Sequence, residues 1–313
     1  GQLGLPDPTK TRAGLGPRLL AARRLHQVLG GVRFEPLNAA DLPDSRDRAL
    51  ANRLLTLALR RHGHLNQVIA ALLDRGLPKK AGTFEAVLRL SLAQLLFAPD
   101  MGAHSALFLG GEALKRDAAA RHLAGLLNAV LRRAQAEAER WTGLPPADLF
   151  PPHLAKSWRS QYGDAALDAF GAALLAGAPL DLTLGDDDPA LPAALGATPL
   201  AGASVRLESR DRAVTDLPGF AEGRWWVQDV AASLPARLID LPAGARVLDL
   251  CAAPGGKTAQ LIRAGYRVTA LDNDAERMRR LSGNLARLGL GAEAVVADAL
   301  DYAPPEPFDA VLL

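Results

Sequence analysis

One short stretch near the end of the sequence has residue types that suit ligand binding. Residues 247–250 form an apolar run, and the next eight residues are Cys251-Ala252-Ala253-Pro254-Gly255-Gly256-Lys257-Thr258. Adjacent glycines let a backbone approach a ligand closely, and free N–H groups at the start of a following helix attract an anion such as a carboxylate. A phosphate loop is disfavoured, because that motif needs a glycine five positions before Gly256, where Cys251 stands. The dinucleotide fingerprint with three spaced glycines is also absent.

Two acidic residues follow the next two apolar runs. Asp272 ends the run at 267–271, and Asp298 ends the run at 292–297. In a parallel sheet, ligands bind beyond the carboxyl ends of the strands, where an acid can accept both ribose hydroxyls. A second acid could accept a hydrogen bond from an adenine amino group, and the methionyl carboxylate of S-adenosylmethionine (SAM) suits the glycine turn. Either acid alone could equally be a helix cap or a solvated loop residue.

The set taken in order predicts a SAM site. The predicted cofactor-binding residues are Cys251, Ala252, Ala253, Pro254, Gly255, Gly256, Lys257, Asp272 and Asp298. We expect Cys251 to pack and contact the cofactor, because no Lys or His is evidently placed to activate its thiol.

The elements around these residues alternate between strand and helix from residue 246 onward. Helices are predicted at 258–264 and 275–288, the second stopped by Gly289, and a fourth strand at 308–313. This alternation is typical of a parallel, doubly wound sheet.

The first half of the sequence has helical periodicity and no strand-like alternation. We predict helices from Ser45, as a cap, to residue 59, over 65–73 with Gly76 behind it, from Thr83 to 97, and over 123–131. Such a region is typical of an all-α bundle.

Composition shifts suggest the domain boundaries. Residues 1–16 are predicted to be a flexible tail, 17–140 a helical domain, and 141–152 a linker rich in Pro and Gly. Residues 153–228 are predicted to form a small α/β subdomain, irregular over 179–225. It would contain a helix at 164–175 with Leu167, Phe170 and Leu174 on one face. The remainder, 229–313, would be the cofactor-binding domain.

The composition indicates a soluble, cytoplasmic protein. Of 313 residues 49% are hydrophobic, and the single cysteine rules out an internal disulfide. We see no secretory signal and no apolar run of about 18 residues, so we expect no membrane span. No metal site is predicted.

Charge is unevenly distributed along the chain. Residues 1–150 carry 21 Lys and Arg against 13 Asp and Glu, a net charge of +8, whereas residues 151–313 carry 15 against 21, a net charge of −6. A basic half favours a polyanionic partner such as RNA, although a solvated helical surface rich in Arg would give the same count. The candidate phosphate contacts are Arg23, Arg24, Arg46, Arg48, Arg132 and Arg133.

The second half resembles a known enzyme family. The run 251–258 is similar to the SAM loop of bacterial 16S ribosomal RNA cytosine-C5 methyltransferases of the Sun/Fmu type. Further resembling segments are Leu217-Pro218-Gly219-Phe220, Val227-Gln228-Asp229, Asn284-Leu285-Ala286-Arg287-Leu288-Gly289 and Phe308-Asp309-Ala310-Val311-Leu312-Leu313.

The first half is similar to the NusB-like RNA-binding domain of the same subfamily. The resembling segments are Asp47-Arg48-Ala49, Val87-Leu88-Arg89-Leu90 and Leu127-Asn128-Ala129-Val130-Leu131-Arg132. The resemblance covers almost the whole chain from about residue 18. It implies a multidomain protein: an all-α NusB-like bundle, a small α/β subdomain, and the first strands of an α/β Rossmann-like SAM methyltransferase domain.

The family's mechanism implies a cysteine thiolate that attacks C6 of a cytosine, so that C5 can take the methyl group of SAM. The family continues its fourth strand with Asp-Ala-Pro-Cys, whereas this sequence ends at Leu313. We therefore expect a fragment that stops inside the catalytic domain, inactive alone, with the catalytic residues beyond Leu313 and none in this chain.

A second departure is the acidic run Gly185-Asp186-Asp187-Asp188, which is a poor contact for RNA phosphates. The resemblance implies 16S ribosomal RNA as partner, and we expect a monomer. Two rival interpretations are a NusB-type RNA-binding factor with a non-catalytic SAM domain and a small-molecule methyltransferase. The second explains neither the basic helical half nor the run at 251–258.

Overall fold

The computed structural model describes residues 14–209 and 212–313, which form two compact units. The first unit ends at Gly177 and the second begins at Ala178. Most of the predicted tail, residues 1–13, lies outside the described residues. The last two residues of the predicted range do not belong to a tail, because Leu15 and Gly16 begin the first helix and Leu15 is fully buried.

The first unit is a helical bundle, as the sequence predicts. Its helices are α1 (Leu15–Leu29), α2 (Ser45–Arg60), α3 (His62–Leu72), α4 (Phe84–Phe97), α5 (Ala103–Lys115), α6 (Ala124–Ala136), α7 (Ala138–Thr142), α8 (Pro152–Tyr162) and α9 (Asp164–Ala176). Helix α4 is apolar on nearly every side and is buried from Phe84 to Leu96 apart from Glu85. A helix that is hydrophobic all round belongs in a core, and α1, α2, α5 and α6 pack around it.

The starts of two helices differ in detail from the prediction. Asp44, rather than Ser45, caps α2, and its carboxylate accepts hydrogen bonds from the backbone N–H groups of Arg46 and Asp47, both at 2.9 Å. Thr83 does precede α4, but its hydroxyl donates to the Asp117 carboxylate at 2.7 Å instead of capping the helix. The Thr83 side chain therefore binds a residue that is distant in the sequence, whereas the sequence suggests that it caps its own helix.

The segment at 141–152, predicted as a linker, is packed within the first unit. A short 3-10 turn spans Pro146–Leu149, and the side chains of Trp141 and Leu149 are buried. The units instead divide at Gly177, where α9 ends.

Two glycines explain how the 3-10 turn packs so closely. A Cβ atom on Gly63 of α3 would lie 2.5 Å from the backbone oxygens of Asp148 and Leu149, and one on Gly171 of α9 would lie 2.2 Å from Pro146 O. Two helices therefore hold this turn through bare backbone, which composition alone does not reveal.

Helix α9 covers the predicted 164–175, but only part of its predicted apolar face is buried. Leu167 is fully buried, whereas Phe170 and Leu174 are 41% and 42% exposed. The buried face runs through Leu167 and Gly171, because Gly171 is the residue that admits the turn at Pro146.

The second unit begins with a small antiparallel sheet that is more regular than predicted. Its elements are β1 (Asp181–Leu184), α10 (Leu191–Leu195), β2 (Ala197–Pro199), β3 (Ser204–Leu207) and β4 (Trp225–Val227). The strand order is β2-β3-β1-β4, around a core that includes Leu182 and Trp225.

The rest of the second unit is the predicted parallel α/β arrangement. The chain continues through α11 (Val230–Arg237), β5 (Arg246–Leu250), α12 (Gly256–Arg263), β6 (Arg267–Asp272), α13 (Ala275–Arg287), β7 (Glu293–Val296) and β8 (Ala310–Leu312). The strand order is β7-β6-β5-β8, and all pairs are parallel. The register pairs Leu250 with Leu271 and Asp272 with Val296, so the strands end at one edge.

Among the described helices, none combines the length and the apolar character that a bilayer crossing would require.

Candidate functional site

The loop after β5 makes a tight turn against the neighbouring strand. Ala252 N donates to Leu271 O of β6 at 3.0 Å, and Gly255 N donates to Ala252 O at 2.9 Å. Gly255 has φ +104°, and a Cβ there would lie 3.0 Å from the Leu281 side chain. Glycine is therefore required both by the backbone conformation and by the packing of α13. Cys251 is exposed and has φ +55°, a conformation rare for a residue with a side chain.

Asp272 joins the end of β6 to this loop. Its buried carboxylate accepts from Ala253 N through Oδ2 and from Asp274 N through Oδ1, both at 3.2 Å. The guanidinium of Arg277 lies 3.6 Å from Oδ1. Each carboxylate oxygen keeps a further lone pair that can accept a hydrogen bond.

Two side chains of α13, absent from the predicted site, hold the same loop. Arg277 Nη2 donates to Ala253 O at 2.9 Å, and Asn284 Nδ2 donates to Pro254 O at 3.0 Å. The two residues are seven apart, so they share one face of the helix. That spacing, on the helix directly after the strand that carries Asp272, is the sequence signal by which they could have been found.

A buried pair ties α12 to β5 beneath the loop. Thr258 Oγ1 donates to the Asp249 carboxylate at 2.6 Å, and both residues are buried. Burial raises the pKa of Asp249, while the hydrogen bond from Thr258 and the charge of Lys257 act in the opposite direction. An acid inside the apolar run 247–250 is the sequence signal for this pair.

Asp298 lies at the same edge of the sheet. Its side chain forms no hydrogen bond with the loop that follows β5. Ala297 N donates to the backbone oxygen of Asp272 at 3.1 Å, which places Asp298 just beyond the end of β6. Its side chain is exposed and accepts from Leu300 N at 2.9 Å. The predicted cofactor residues thus follow three adjacent strands, and the structure brings 251–257 and Asp272 into contact.

This edge presents backbone and side-chain groups that a bound cofactor could use. The turn at Gly255 presents bare backbone, and the first residues of α12, an eight-residue helix, have N–H groups without a partner inside the helix. Asp272 supplies a hydrogen-bond acceptor next to that turn, and Asp298 supplies an acceptor that is exposed. The residues present therefore fit a ligand that carries a carboxylate and ribose hydroxyls, as SAM does.

The six predicted RNA-binding arginines divide into two groups. Arg24 donates to the backbone oxygen of Glu35 and pairs with Asp41. Arg48 donates to Leu42 O at 2.8 Å, and Arg133 donates to Leu72 O at 3.2 Å.

The other three, Arg23, Arg46 and Arg132, are exposed, as Arg133 also is, but their side chains form no hydrogen bond with the described residues. They are therefore better placed for phosphates than the three arginines that contribute to the local fold.

The acidic run at 185–188 is partly neutralised within the second unit. Arg224 contacts the carboxylate of Asp186 at 2.6 Å and that of Asp188 at 2.9 Å. Across residues 14–209 and 212–313, no group of three or more His, Cys, Asp or Glu side chains is arranged to hold a metal ion.

Two family models match this chain, one within each of its two units. Residues 17–136 match the NusB family, and residues 236–313 match the 16S rRNA methyltransferase RsmB/F model.

Curated relatives match both halves together. The ribosomal RNA small subunit methyltransferase B of Pseudomonas putida is 37% identical over 331 aligned positions, which cover 96% of this chain and 73% of that protein. The protein of the same name from Xanthomonas campestris pv. campestris is also 37% identical, covering 96% of this chain and 72% of that protein. Among solved structures, PH0851 aligns with a TM-score of 0.61 at 17% identity, covering 93% of this chain and 71% of that one, which shows a shared fold.

Proposed function

The chain belongs to the ribosomal RNA small subunit methyltransferase B family, and we propose that it takes part in methylating C5 of a cytosine in 16S ribosomal RNA. Membership makes it a SAM-dependent RNA methyltransferase. The target base, the SAM contacts and the covalent mechanism are the finer parts of the proposal.

The contact between Asp272 and Ala253 carries the cofactor part of the proposal. It connects the acid after β6 with the glycine loop after β5, so that one ligand could reach both. The amino end of α12 would receive the methionyl carboxylate, Asp272 the ribose hydroxyls, and Asp298 the adenine amino group. Arg277 and Asn284 would keep the loop carbonyls turned away from the ligand by binding them. Bound SAM supplies the methyl group.

The proposed reaction begins with a cysteine thiolate that adds to C6 of the cytosine, so that C5 can take the methyl group. Loss of the C5 proton to a base then breaks the S–C6 bond and restores the ring double bond. Cys251 is not assigned this attack, because it lies in the loop proposed to bind SAM, where its thiol would lie beside the cofactor rather than the base. The target base must leave its stack to reach such a pocket.

RNA would be bound by the basic helical unit. Arg23, Arg46 and Arg132 are exposed and open to phosphates, and we propose them as contacts ahead of Arg24, Arg48 and Arg133. We propose that the protein acts as a monomer in the cytoplasm, where ribosomal RNA is assembled into subunits.

Calorimetry with SAM tests the cofactor site. The variant D272N removes the charge and one acceptor that anchors Ala253, so we expect its Kd for SAM to rise at least about tenfold, which corresponds to about 1.4 kcal/mol. The matched control is D274N, which removes a neighbouring charge but keeps a good cap for α13. It should bind SAM within about twofold of the wild type.

Two results would contradict the proposal. An unaltered chain that does not bind SAM would favour the NusB-type RNA-binding factor. Equal SAM affinity of D272N and the wild type would remove Asp272 from the site.

A further inference from the structure

Gln228 is a buried polar residue that joins the small antiparallel sheet to the cofactor-binding part of the second unit. It follows directly after β4 and precedes α11, and it is 6% exposed. A buried amide is costly unless its donors and acceptor are satisfied, so its partners indicate what holds it there.

The amide oxygen of Gln228 is held by the small sheet. Thr183 Oγ1 of β1 donates to Oε1 at 2.7 Å, and Trp226 Nε1 of β4 donates to the same atom at 3.1 Å. An indole N–H can only donate, so these contacts settle which end of the amide is the oxygen. The amide nitrogen must therefore point the other way.

The amide nitrogen points at helix α12. Nε2 donates to Gln260 Oε1 at 2.7 Å, and Gln260 Nε2 donates in turn to Ser233 O of α11 at 2.9 Å. The same nitrogen lies 3.3 Å from the position that a Cβ atom on Gly256 would take. Gly256 is the first residue of α12, so the amide packs directly under the start of the helix.

We infer that Gln228 is a positioning residue for the amino end of α12, and through it for the carboxylate of SAM. The inference rests on the proposed function, which places that carboxylate at this helix end. In this role Gln228 would act through α12 and would not contact SAM itself. It fixes the first helical residue from below by packing, and fixes the next turn through Gln260, so the N–H groups of α12 keep one direction relative to β5. Preorganised donors of this kind bind an anion more tightly than mobile ones.

The variant Q228E tests this role with almost no change in volume. Its second carboxylate oxygen would face Gln260 Oε1, so two acceptors would meet where a hydrogen bond now holds α12. We expect the Kd for SAM, measured by calorimetry on the full chain, to rise at least about tenfold.

The matched control is Y266F, which breaks a comparable link at the other end of the parallel sheet. Tyr266 Oη donates to Ile239 O at 3.0 Å and accepts from Leu241 N at 3.2 Å, and it lies away from the cofactor loop because it precedes β6. It should lower the melting temperature and leave the Kd for SAM within about twofold. If Q228E and Y266F lose similar amounts of melting temperature and have the same Kd for SAM, then Gln228 is only structural.

A second ligand separates positioning of the carboxylate from general damage to the pocket. 5′-Methylthioadenosine keeps the adenine and ribose of SAM but lacks the amino-acid carboxylate. Its Kd, measured by displacement of SAM, should change less than about twofold in Q228E while that of SAM rises. Equal losses for both ligands would overturn the inference.

A milder variant guards against a folding failure. T183V removes one donor to Gln228 Oε1 with little change of shape, and should raise the Kd for SAM by a smaller factor than Q228E. An unchanged Kd in both variants overturns the inference alone, whereas a wild-type chain that does not bind SAM overturns the proposed function.

Discussion

The two units bury polar side chains for different purposes. In the helical unit, buried polar groups join neighbouring helices and turns: Arg89 of α4 binds Asn66 at 2.7 Å, and His64 binds Pro145 O at 2.9 Å. In the second unit, the pairs around Asp249, Asp272 and Gln228 lie around the start of α12. The same kind of contact stabilises a scaffold in one unit and, on our proposal, sets the direction of the helix end that would receive the cofactor in the other. A change to the buried polar contacts of the helical unit should therefore alter stability, and a change to the contacts around the start of α12 should alter the affinity for SAM.

The largest expected effect is a loss of stability in the helical unit. Phe84 is fully buried at the start of α4, so F84A should lower the free energy of unfolding of this unit by about 3–5 kcal/mol. Chemical denaturation followed by circular dichroism measures the loss. The control F108A makes the same change at a side chain that is 36% exposed, and should cost clearly less.

The contrast between the units also predicts how F84A and F108A bind SAM. Below the unfolding transition, both should bind SAM as the wild type does, because the hydrogen bonds that hold the cofactor loop come from the second unit. A large rise in the Kd for SAM in folded F84A would show that the contrast between the units is wrong.

The next effect is a pH dependence of the helical unit. Arg61 Nη1 donates to His64 Nδ1 at 3.0 Å, and Pro145 O accepts from Nε2, so the ring is neutral when the protein is folded. Burial, chiefly, lowers the pKa of His64, and burial also lowers that of His62. The unfolded chain therefore binds protons first, from about pH 6.5 downward, and the stability present above that pH is lost as the pH falls.

Denaturation at several pH values between about 5.5 and 7.5 measures this effect. Each proton taken up only by the unfolded chain costs up to about 1.4 kcal/mol per pH unit. H64Q removes one such proton, so its stability should fall less steeply than that of the wild type, and H62Q/H64Q should flatten the profile further. Parallel profiles for wild type and H64Q would contradict the assignment.

The smallest effect concerns RNA affinity at the surface of the helical unit. Arg132 is exposed on α6, and R132E should weaken binding of 16S ribosomal RNA. The slope of log K against log salt should also become shallower, by about 0.7–0.9 for each phosphate that Arg132 neutralises in the wild type. Filter binding at a series of salt concentrations measures both quantities.

R140E is the control for net charge, since Arg140 is also exposed and pairs with Glu137. Equal effects of the two reversals would mean that overall charge, and no particular contact by Arg132, attracts RNA.

How far the sequence predicts this molecule depends on the distance between partners in the chain. The loop at 251–258 and the helices of the first unit can be predicted because their signals lie within a few residues of one another. Gln228 cannot be assigned a role in this way, because its partners Thr183 and Gln260 are 45 and 32 positions away. The Pro and Gly of segment 141–152 predict a linker, since nothing local shows that Gly63 and Gly171 leave room for it to pack.

The close packing of the turn at Pro146–Leu149 has a consequence for how this protein can be divided or recombined. The match to the NusB family ends at residue 136, but the first unit continues to Gly177. A gene fusion or a truncation made after residue 140 would leave Gly63 facing an empty groove and would remove Trp141 from the core. The segment that follows the family match therefore belongs to the helical unit. An exchange of helical units between relatives should place the junction after Gly177.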